Sequence, residues 1–252
     1  MLFPTIIYGP VHSRRLGLSL GINLMPTAAK LCTFNCIYFE CGWNRPVDHP
    51  VLPTRGEVKE ALEKALAGQT EMPDVLTFSG NGEPTLHPDF EGIIQDTCLL
   101  RDRYCPDAKV SVLSNSTQLY RPDVVRGLKA ADNRILKLDS AIDSTMHLID
   151  QPVNKELTVA QLKEYFRAFD HDFTLQTCFL QGIFNGQTVD NTTPEETKAW
   201  LRLVEDIAPK NIMIYVIDRQ TPCRTLQKTD PATMNHIAEA VRSMGFSISV
   251  SC

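Results

Sequence analysis

The sequence lacks any apolar run near the length of about 18 residues that a membrane-spanning helix needs. Its first ten residues, MLFPTIIYGP, lack the positively charged start and small-residue cleavage site of a signal peptide. An excess of positive charge is also missing, because the formal net charge is -5 at pH 7. The overall field therefore does not favour a nucleic acid. We expect a cytoplasmic protein with no membrane partner.

A Pro/Gly/Ser-rich linker that would separate two domains is missing between the apolar segments of the chain. With 252 residues, 43% of them hydrophobic, the chain is long enough to build a sizeable core. We therefore expect a single domain over residues 1–252. Only the Pro-rich stretch Arg45–Pro53 is predicted to be irregular.

A dense group of cysteines stands out in the segment Lys30–Trp43, which reads KLCTFNCIYFECGW. Cys32, Cys36 and Cys41 fall within ten residues, and without a secretory signal such density predicts a metal or cluster site. Thiolates are the soft ligands of iron–sulfur clusters and of zinc. The spacing C-x3-C-x4-C favours a cluster, because structural zinc takes four ligands, usually from closely paired cysteines. Zinc, and buried cysteines without a metal, remain alternatives.

Strand and helix patterns alternate along the rest of the chain. Strands are predicted at residues 18–24, 75–79, 110–113, 135–138, 173–180, 212–217 and 248–250, and helices are predicted to start near Thr54, Pro88, Pro122, Val159, Thr193 and Asp230. About six strand–helix repeats predict an α/β fold with a parallel sheet. They are too few for a closed eight-stranded barrel, so a partial barrel or an open twisted sheet is expected.

Polar residues follow several of the predicted strands. They are Asn81 and Glu83, then Ser114 and Asn115, then Asp139, then Asp218 and Arg219. In barrels and in open parallel sheets the carboxyl ends of the strands carry the functional site. Since Glu83 follows a Gly-rich turn at such an end, it is expected to have no part in the core.

Three of these segments together resemble the radical S-adenosylmethionine (SAM) superfamily. They are the cysteine loop after the first strand, Gly80-Asn81-Gly82-Glu83-Pro84 after the second, and Ser114-Asn115-Ser116 after the third. The stretch YGPVHSRRLGLSLGIN is similar to the branch that contains wybutosine-type tRNA-modifying enzymes and uncharacterised relatives. The resemblance implies a partial (β/α)6 TIM-like barrel, a [4Fe–4S] cluster and bound SAM.

The resemblance also implies roles for individual residues. The expected metal ligands are Cys32, Cys36 and Cys41; the expected cofactor-binding residues are Tyr38, Gly80, Asn81, Gly82, Glu83, Ser114 and Asn115; and the candidate catalytic residues are Asp139 and Tyr215. Glu83 and the adjacent backbone are expected to hold the methionine amine. Ser114 and Asn115 are expected to meet the ribose or the carboxylate, and Tyr38 the adenine.

The activity implied by this resemblance is radical chemistry. An electron from the reduced cluster would cleave SAM, and the 5′-deoxyadenosyl radical would abstract hydrogen from a small organic or nucleobase-type substrate. The resemblance implies an electron donor such as flavodoxin or ferredoxin. It gives weak support to tRNA as a partner, against which the acidic net charge argues.

One position departs from the superfamily pattern. The family spacing C-x3-C-x2-C places the third cysteine at position 39, where this sequence has Phe39. Because phenylalanine cannot ligate iron, either Cys41 replaces it through a longer loop, or two cysteines and another group hold the cluster, or the cluster has been lost; Cys41 is the expected ligand. The alternatives are a non-catalytic descendant that keeps the barrel, or a zinc-binding protein.

Overall fold

The computed structural model describes residues 2–45 and 49–252. Residues 46–48, within the stretch Arg45–Pro53 that is predicted to be irregular, lie outside the described residues, and residues 49–53 contain no helix or strand. Two units make up the chain: Met1–Cys32 with Asn44–Ile135, and Thr33–Trp43 with Leu136–Cys252. Within the part of the chain that is described, no helix has the length and hydropathy needed to cross a bilayer.

The described residues of the first unit form four complete strands of a sheet and three helices. The strands are β1 (Ile7–Ser13), β2 (Gly17–Ile22), β3 (Val75–Phe78) and β4 (Lys109–Ser114), and the helices are α1 (Arg55–Ala67), α2 (Phe90–Tyr104) and α3 (Pro122–Ala130). The strand order is β1-β2-β3-β4. β1 runs antiparallel to β2, whereas β2, β3 and β4 are parallel.

Strand β5 (Asn133–Lys137) begins in the first unit and ends in the second. The second unit continues with α4 (Asp143–Asp150), α5 (Val159–Phe166), β6 (Thr174–Phe184), β7 (Gln187–Asp190), α6 (Pro194–Ile207), β8 (Asn211–Val216), β9 (Gln227–Lys228), α7 (Pro231–Ser243) and β10 (Ile248–Ser251). Its strand order is β5-β6-β8-β10, with β6, β8 and β10 parallel. β7 and β9 pair antiparallel with the end of β6.

Continuous apolar runs form the buried strands, as predicted. All four residues of β3 are buried, and Ile212, Ile214 and Val216 of β8 are at most 1% exposed. Parallel strands covered on both faces require such runs, because neither face meets water. All six predicted strand–helix repeats are present, and in each repeat a loop follows the carboxyl end of the strand.

Local capping explains where three of the helices begin. Thr54 and Glu57 form a reciprocal capping box at the start of α1. Thr193 accepts a hydrogen bond from the backbone N–H of Glu196 at the start of α6, and Asp230 caps α7 in the same way. These three predicted helix starts are confirmed.

Other boundaries differ from the prediction. Helix α2 begins at Phe90 rather than at Pro88, because a 3₁₀ turn over Pro84–Leu86 comes first and Asp89 occupies the N-cap position. Helix α4 and the antiparallel strands β1, β7 and β9 were not predicted. The three strands are short or largely exposed, so their apolar alternation is weak. Helix α4 lacks a start signal, because its N-cap residue is Ile142, which makes no side-chain capping bond.

Candidate functional site

The turn after β3 uses two glycines in a backbone conformation that other residues rarely adopt. Gly80 and Gly82 have φ angles of +146° and +145°. A Cβ added to Gly82 would lie 1.8 Å from the carbonyl oxygen of Leu31, and one on Gly80 would lie 2.5 Å from Oδ1 of Asn23. Glycine is therefore required at both positions.

This close approach attaches the residue before Cys32 to the glycine turn. Leu31 forms a parallel bridge with Gly82. The N–H of Leu31 donates to the carbonyl of Asn81 at 2.9 Å, and the N–H of Glu83 donates to the carbonyl of Leu31 at 3.1 Å. The backbone on one side of Cys32 is thus held by the loop that follows β3.

Glu83 ends the turn with only 2% of its surface exposed. Its Oε1 accepts hydrogen bonds from the hydroxyls of Thr85 at 2.5 Å and Ser114 at 2.9 Å and from the N–H of Thr85 at 3.2 Å. Its Oε2 accepts the N–H of Asn115 at 2.7 Å. Burial raises the pKa of Glu83, although these four hydrogen bonds lower it. The expectation that Glu83 has no part in the core is wrong, because its carboxylate joins the turns after β3 and β4.

Asn115 extends this network to the sulfur of Cys32. Its Nδ2 donates to Sγ of Cys32 at 3.4 Å, while its Oδ1 accepts from the N–H and the hydroxyl of Thr117 at 3.1 and 2.8 Å. The carbonyl of Cys32 accepts a further bond from Nδ2 of Asn44 at 2.9 Å. The structure therefore brings together Glu83, Ser114, Asn115 and Cys32.

Asn81 is fully buried, and its side chain bonds to the backbone of the N-terminal segment. Nδ2 donates to the carbonyls of Phe3 at 2.8 Å and Pro26 at 2.9 Å, and Oδ1 accepts the N–H of Phe3 at 2.8 Å. These bonds give its side chain a structural role. A contribution of Asn81 to cofactor binding stays a prediction, and its backbone within the turn would make it.

In the second unit, a buried lysine lies beside Cys36. Lys137 ends β5, and its Nζ donates to Sγ of Cys36 at 3.0 Å. The same ammonium pairs with Asp139 at 3.1 Å and with Oδ1 of Asp150. Burial raises the pKa of Asp150 to about 7, although Lys137 opposes that shift. Among the described residues, Oδ2 of Asp150 has no hydrogen-bond partner.

The two catalytic candidates meet at Tyr38. The hydroxyl of Tyr38 donates to Oδ2 of Asp139 at 2.5 Å and lies 3.3 Å from the hydroxyl of Tyr215. Burial, and next the charge of Asp139, raise the pKa of Tyr38 well above its ordinary value, so the phenol keeps its proton. The other carboxylate oxygen, Oδ1 of Asp139, accepts the N–H of Cys178 at 2.9 Å.

The loop that carries Cys36 is held by the residues at the end of α4. Ile37 and Asn35 donate their N–H groups to the carbonyls of Ile149 and Asp150, at 3.0 and 2.9 Å. On either side of these bonds, Phe34 forms an antiparallel bridge with Pro152, and Val153 donates to the carbonyl of Thr33. We call residues 149–153 the loop clamp. Since all these bonds are made by backbone atoms, they do not depend on the identity of the loop side chains.

The loop turns twice beyond Cys36. The N–H of Phe39 donates to the carbonyl of Cys36 at 3.2 Å, and that of Gly42 to the carbonyl of Phe39 at 2.9 Å. Gly42 has a φ of +84°, which permits the second turn. Phe39 and Cys41 are both half-buried in this segment.

The cysteine side chains suit an iron–sulfur cluster in their chemistry. The sulfur of Cys32 receives an N–H donor from Asn115 and that of Cys36 one from Lys137, and such donors stabilise thiolate ligands. In the described ranges, no three His, Cys, Asp or Glu side chains form a group that would hold a metal ion. The ligand set Cys32, Cys36 and Cys41 therefore stays a prediction.

Lys137 and Asp150 are the residues of this site that sequence reasoning missed. A signal for Lys137 was present, because a lysine interrupts the apolar run Ile135–Leu138 of a predicted buried strand, and buried lysines are nearly always paired. Asp150 gave no comparable signal, since the helix that carries it was not predicted.

Several solved structures share this fold. A radical SAM methyltransferase from Sphaerobacter thermophilus is 12% identical, with a TM-score of 0.62 over 92% of this chain and 65% of that one. SuiB of Streptococcus suis bound to S-adenosylmethionine is 11% identical, with a TM-score of 0.65 over 91% of this chain and 50% of that one. TYW1 with a lysine-pyruvate adduct is 13% identical, with a TM-score of 0.63 over 89% of this chain and 73% of that one. The predicted α/β fold, the partial (β/α)6 barrel of radical SAM enzymes, is confirmed.

Sequence comparison finds relatives that match most of this chain. No family model matches the chain. A segment of the GTPase Obg of Brachyspira hyodysenteriae is 32% identical over 221 residues, which are 85% of this chain but only 30% of that protein. A UPF0026 protein of Helicobacter pylori is 36% identical over 219 residues, covering 86% of this chain and 67% of that protein. At this identity and coverage, the chain belongs to the UPF0026 protein family.

Proposed function

We propose that this chain is the core of a radical SAM enzyme that binds one [4Fe–4S] cluster and one SAM molecule. Its substrate would be a small organic molecule or a nucleobase-type group. The chain spans 65% and 50% of the first two solved structures above, so the activity of the whole protein is part of this proposal. When bound, the cluster and SAM supply a reductive cleavage that yields the 5′-deoxyadenosyl radical.

One observation carries the proposal. The glycine turn Gly80–Glu83 is joined to the backbone next to Cys32, and the sulfur of Cys32 receives the amide of Asn115. The turn proposed to hold SAM and the first proposed cluster ligand are therefore parts of one hydrogen-bonded network.

Glu83 would bind the amine of SAM through an exchange of hydrogen bonds. A carboxylate offers about four acceptor positions, and Glu83 already receives four donors. An incoming ammonium would displace one of them, for example the hydroxyl of Thr85. Because burial raises the pKa of Glu83, the positive charge would also favour its ionised form.

The residues around Tyr38 are proposed to orient the adenine and the substrate. Asp139 is held by the N–H of Cys178 and pairs with Lys137, so it acts here as a fixed anion that points the hydroxyl of Tyr38. Tyr215 is half-buried and adds a second phenol. The backbone of the loop clamp positions Cys36, the second proposed ligand.

Partners and location follow from the same proposal. The cluster would need an external one-electron donor such as flavodoxin or ferredoxin. A thiol-rich cluster site also needs a reducing compartment, which favours the cytoplasm. A tRNA substrate has support only from the resemblance of the segment before the cysteines to the wybutosine branch.

A specific observation favours one second candidate, a non-catalytic member that keeps the fold. Phe39 stands where the superfamily has its third cysteine, and the described residues do not gather three metal-binding side chains. Such a protein would keep the hydrogen-bonded network of Glu83 but would bind no iron.

Anaerobic reconstitution separates these possibilities. We expect the wild-type chain to take up iron and sulfide, to turn brown, and to release 5′-deoxyadenosine from SAM under reduction, whereas Cys32→Ala does neither. A colourless preparation that binds no iron would favour the non-catalytic reading, and tightly bound zinc would favour a structural metal site.

A further inference from the structure

Lys137 contacts a sulfur in addition to the carboxylates that a buried lysine requires. Its side chain is 10% exposed. An ammonium has three N–H donors, and three acceptors surround this one: Sγ of Cys36 at 3.0 Å, Oδ2 of Asp139 at 3.1 Å and Oδ1 of Asp150. One N–H of the lysine is therefore directed at a proposed cluster ligand.

The neighbours of Lys137 keep this N–H on the sulfur. Asp139 is fixed by Cys178, and the backbone of Asp150 belongs to the loop clamp. The rings of Phe34 and Tyr38 lie 5.1 and 5.0 Å from Nζ, where they cover the ammonium and favour its charge. The ammonium of Lys137 is therefore surrounded by two carboxylates, two aromatic rings and one sulfur.

Two carboxylates hold the ammonium of Lys137, Asp139 through Oδ2 at 3.1 Å and Asp150 through Oδ1. They offset the cost of burying its charge. The third acceptor, Sγ of Cys36 at 3.0 Å, is the contact through which the lysine can act on the proposed ligand.

We propose that Lys137 is a positioning residue for the iron–sulfur cluster, which orients the sulfur of Cys36 and raises the reduction potential of the cluster. This inference rests on the proposed function. A hydrogen bond to a ligand sulfur and a nearby positive charge both stabilise the reduced state, which carries one more negative charge. The step is the transfer of one electron from an external low-potential donor to the cluster, with no bond made or broken and no proton moved.

The test is a redox titration of the reconstituted protein, followed by the EPR signal of the reduced cluster, with iron and sulfide content measured on each sample. The variants are Lys137→Met, Lys137→Met with Asp150→Asn to avoid an uncompensated buried carboxylate, and Lys137→Arg, which keeps a cation with N–H donors. Lys210→Met, which removes an exposed lysine paired with Asp172, is the matched control.

We expect Lys137→Met to shift the midpoint to lower potential by at least about 59 mV, which is tenfold in a one-electron equilibrium. The double variant removes one positive and one negative charge, so its smaller shift in the same direction reports the lost hydrogen bond to Cys36. Lys137→Arg should recover most of that shift, and Lys210→Met should show none. A merely structural role would lower iron content or stability but would leave the midpoint of the loaded fraction unchanged, and that result would overturn the inference.

A second measurement does not depend on folding of the Met variants. Wild-type protein labelled with ¹⁵N at the lysine side chain should show a ¹⁵N coupling to the reduced cluster in pulsed EPR, and Lys137→Arg should remove it. A loaded wild type without this coupling contradicts the inference alone. A wild type that takes up no cluster contradicts the proposed function, and the inference fails with it.

Discussion

A β-carbon added to Gly82 would lie only 1.8 Å from the carbonyl oxygen of Leu31, so glycine alone fits at position 82. The obstacle is backbone, so it cannot be relieved by a change of rotamer. The contact also fixes the segment that leads into Cys32. It therefore links a sequence motif that is proposed to bind SAM to a residue that is proposed to bind iron.

We expect Gly82→Ala to lower the free energy of unfolding by about 2–4 kcal/mol, because it combines a backbone clash with an unfavourable φ. Chemical denaturation measures this loss. Gly186→Ala is the matched control, since Gly186 has a φ of +78° with nothing within 4 Å of the added carbon. Equal losses in the two variants would mean that the contact with Leu31 is unimportant.

Glu83→Ala should reduce both stability and SAM affinity. Removal of the carboxylate leaves the donors of Ser114, Thr85 and Asn115 without their buried acceptor, at a cost of about 3 kcal/mol. Thermal unfolding and calorimetric titration with SAM give the two quantities. Glu83→Gln keeps one oxygen acceptor and should lose less stability; unchanged SAM affinity in this variant would remove Glu83 from the cofactor site.

Asp96 should make stability fall in acid. Arg55 donates two hydrogen bonds to its carboxylate, at 2.7 and 2.9 Å, and lowers its pKa below the ordinary value of 3.8. Because the folded-state pKa is the lower one, the stabilisation is present above the unfolded value and is lost as pH falls through the folded one.

Asp96→Asn should therefore lower stability near pH 7 and flatten its decline below about pH 4. The effect should be about 1 kcal/mol or less, since Arg55 is half exposed. Urea midpoints between pH 3 and 7 give the measurement, and parallel curves for the two proteins would contradict the assignment.

The third cluster ligand is tested at position 39. We expect the wild type to bind less iron, or to hold it less tightly, than Phe39→Cys, with Cys41 as the weaker substitute. The experiment compares anaerobic reconstitution of wild type, Phe39→Cys, Cys41→Ala and Cys32→Ala by iron, sulfide and EPR. A full cluster in Cys41→Ala excludes Cys41 as a ligand, and a Phe39→Cys protein as iron-free as the wild type supports the non-catalytic reading.

The chain should unfold as one cooperative domain, and a fragment that ends at Lys210 should be insoluble. Such a fragment loses β8, which lies between β6 and β10 and contributes the buried Ile212, Ile214 and Val216. The edge of β6 and its apolar faces would then meet water. Recovery of a soluble fragment with native circular dichroism would reveal a domain boundary before β8.

Local signals in the sequence were enough to place much of the fold. Thr54 with Glu57, and Thr193 with Pro194 and Glu196, mark helix starts through bonds to their own neighbours, and these were predicted. The strand ends after β3 and β4 were also found, because apolar runs end there in polar residues. The prediction failed at α4, whose N-cap position is Ile142 and makes no side-chain capping bond.

The partners of buried polar groups could not be predicted from the sequence. The sequence predicts no part in the core for Glu83, but its four hydrogen-bond donors come partly from the end of the next strand. The bond from Lys137 to Cys36 joins residues that are 101 positions apart in the chain. Contacts of this kind depend on the tertiary structure, which the spacing of residues in the sequence does not reveal.

The loop clamp has a consequence for how this protein can evolve. Residues 149–153 hold the cysteine loop through backbone hydrogen bonds. The loop can therefore keep its path when many of its side chains are replaced. A phenylalanine codon becomes a cysteine codon by a change of one base. Gain or loss of a thiol at position 39 is thus a single mutational step that removes none of the backbone bonds of the loop clamp.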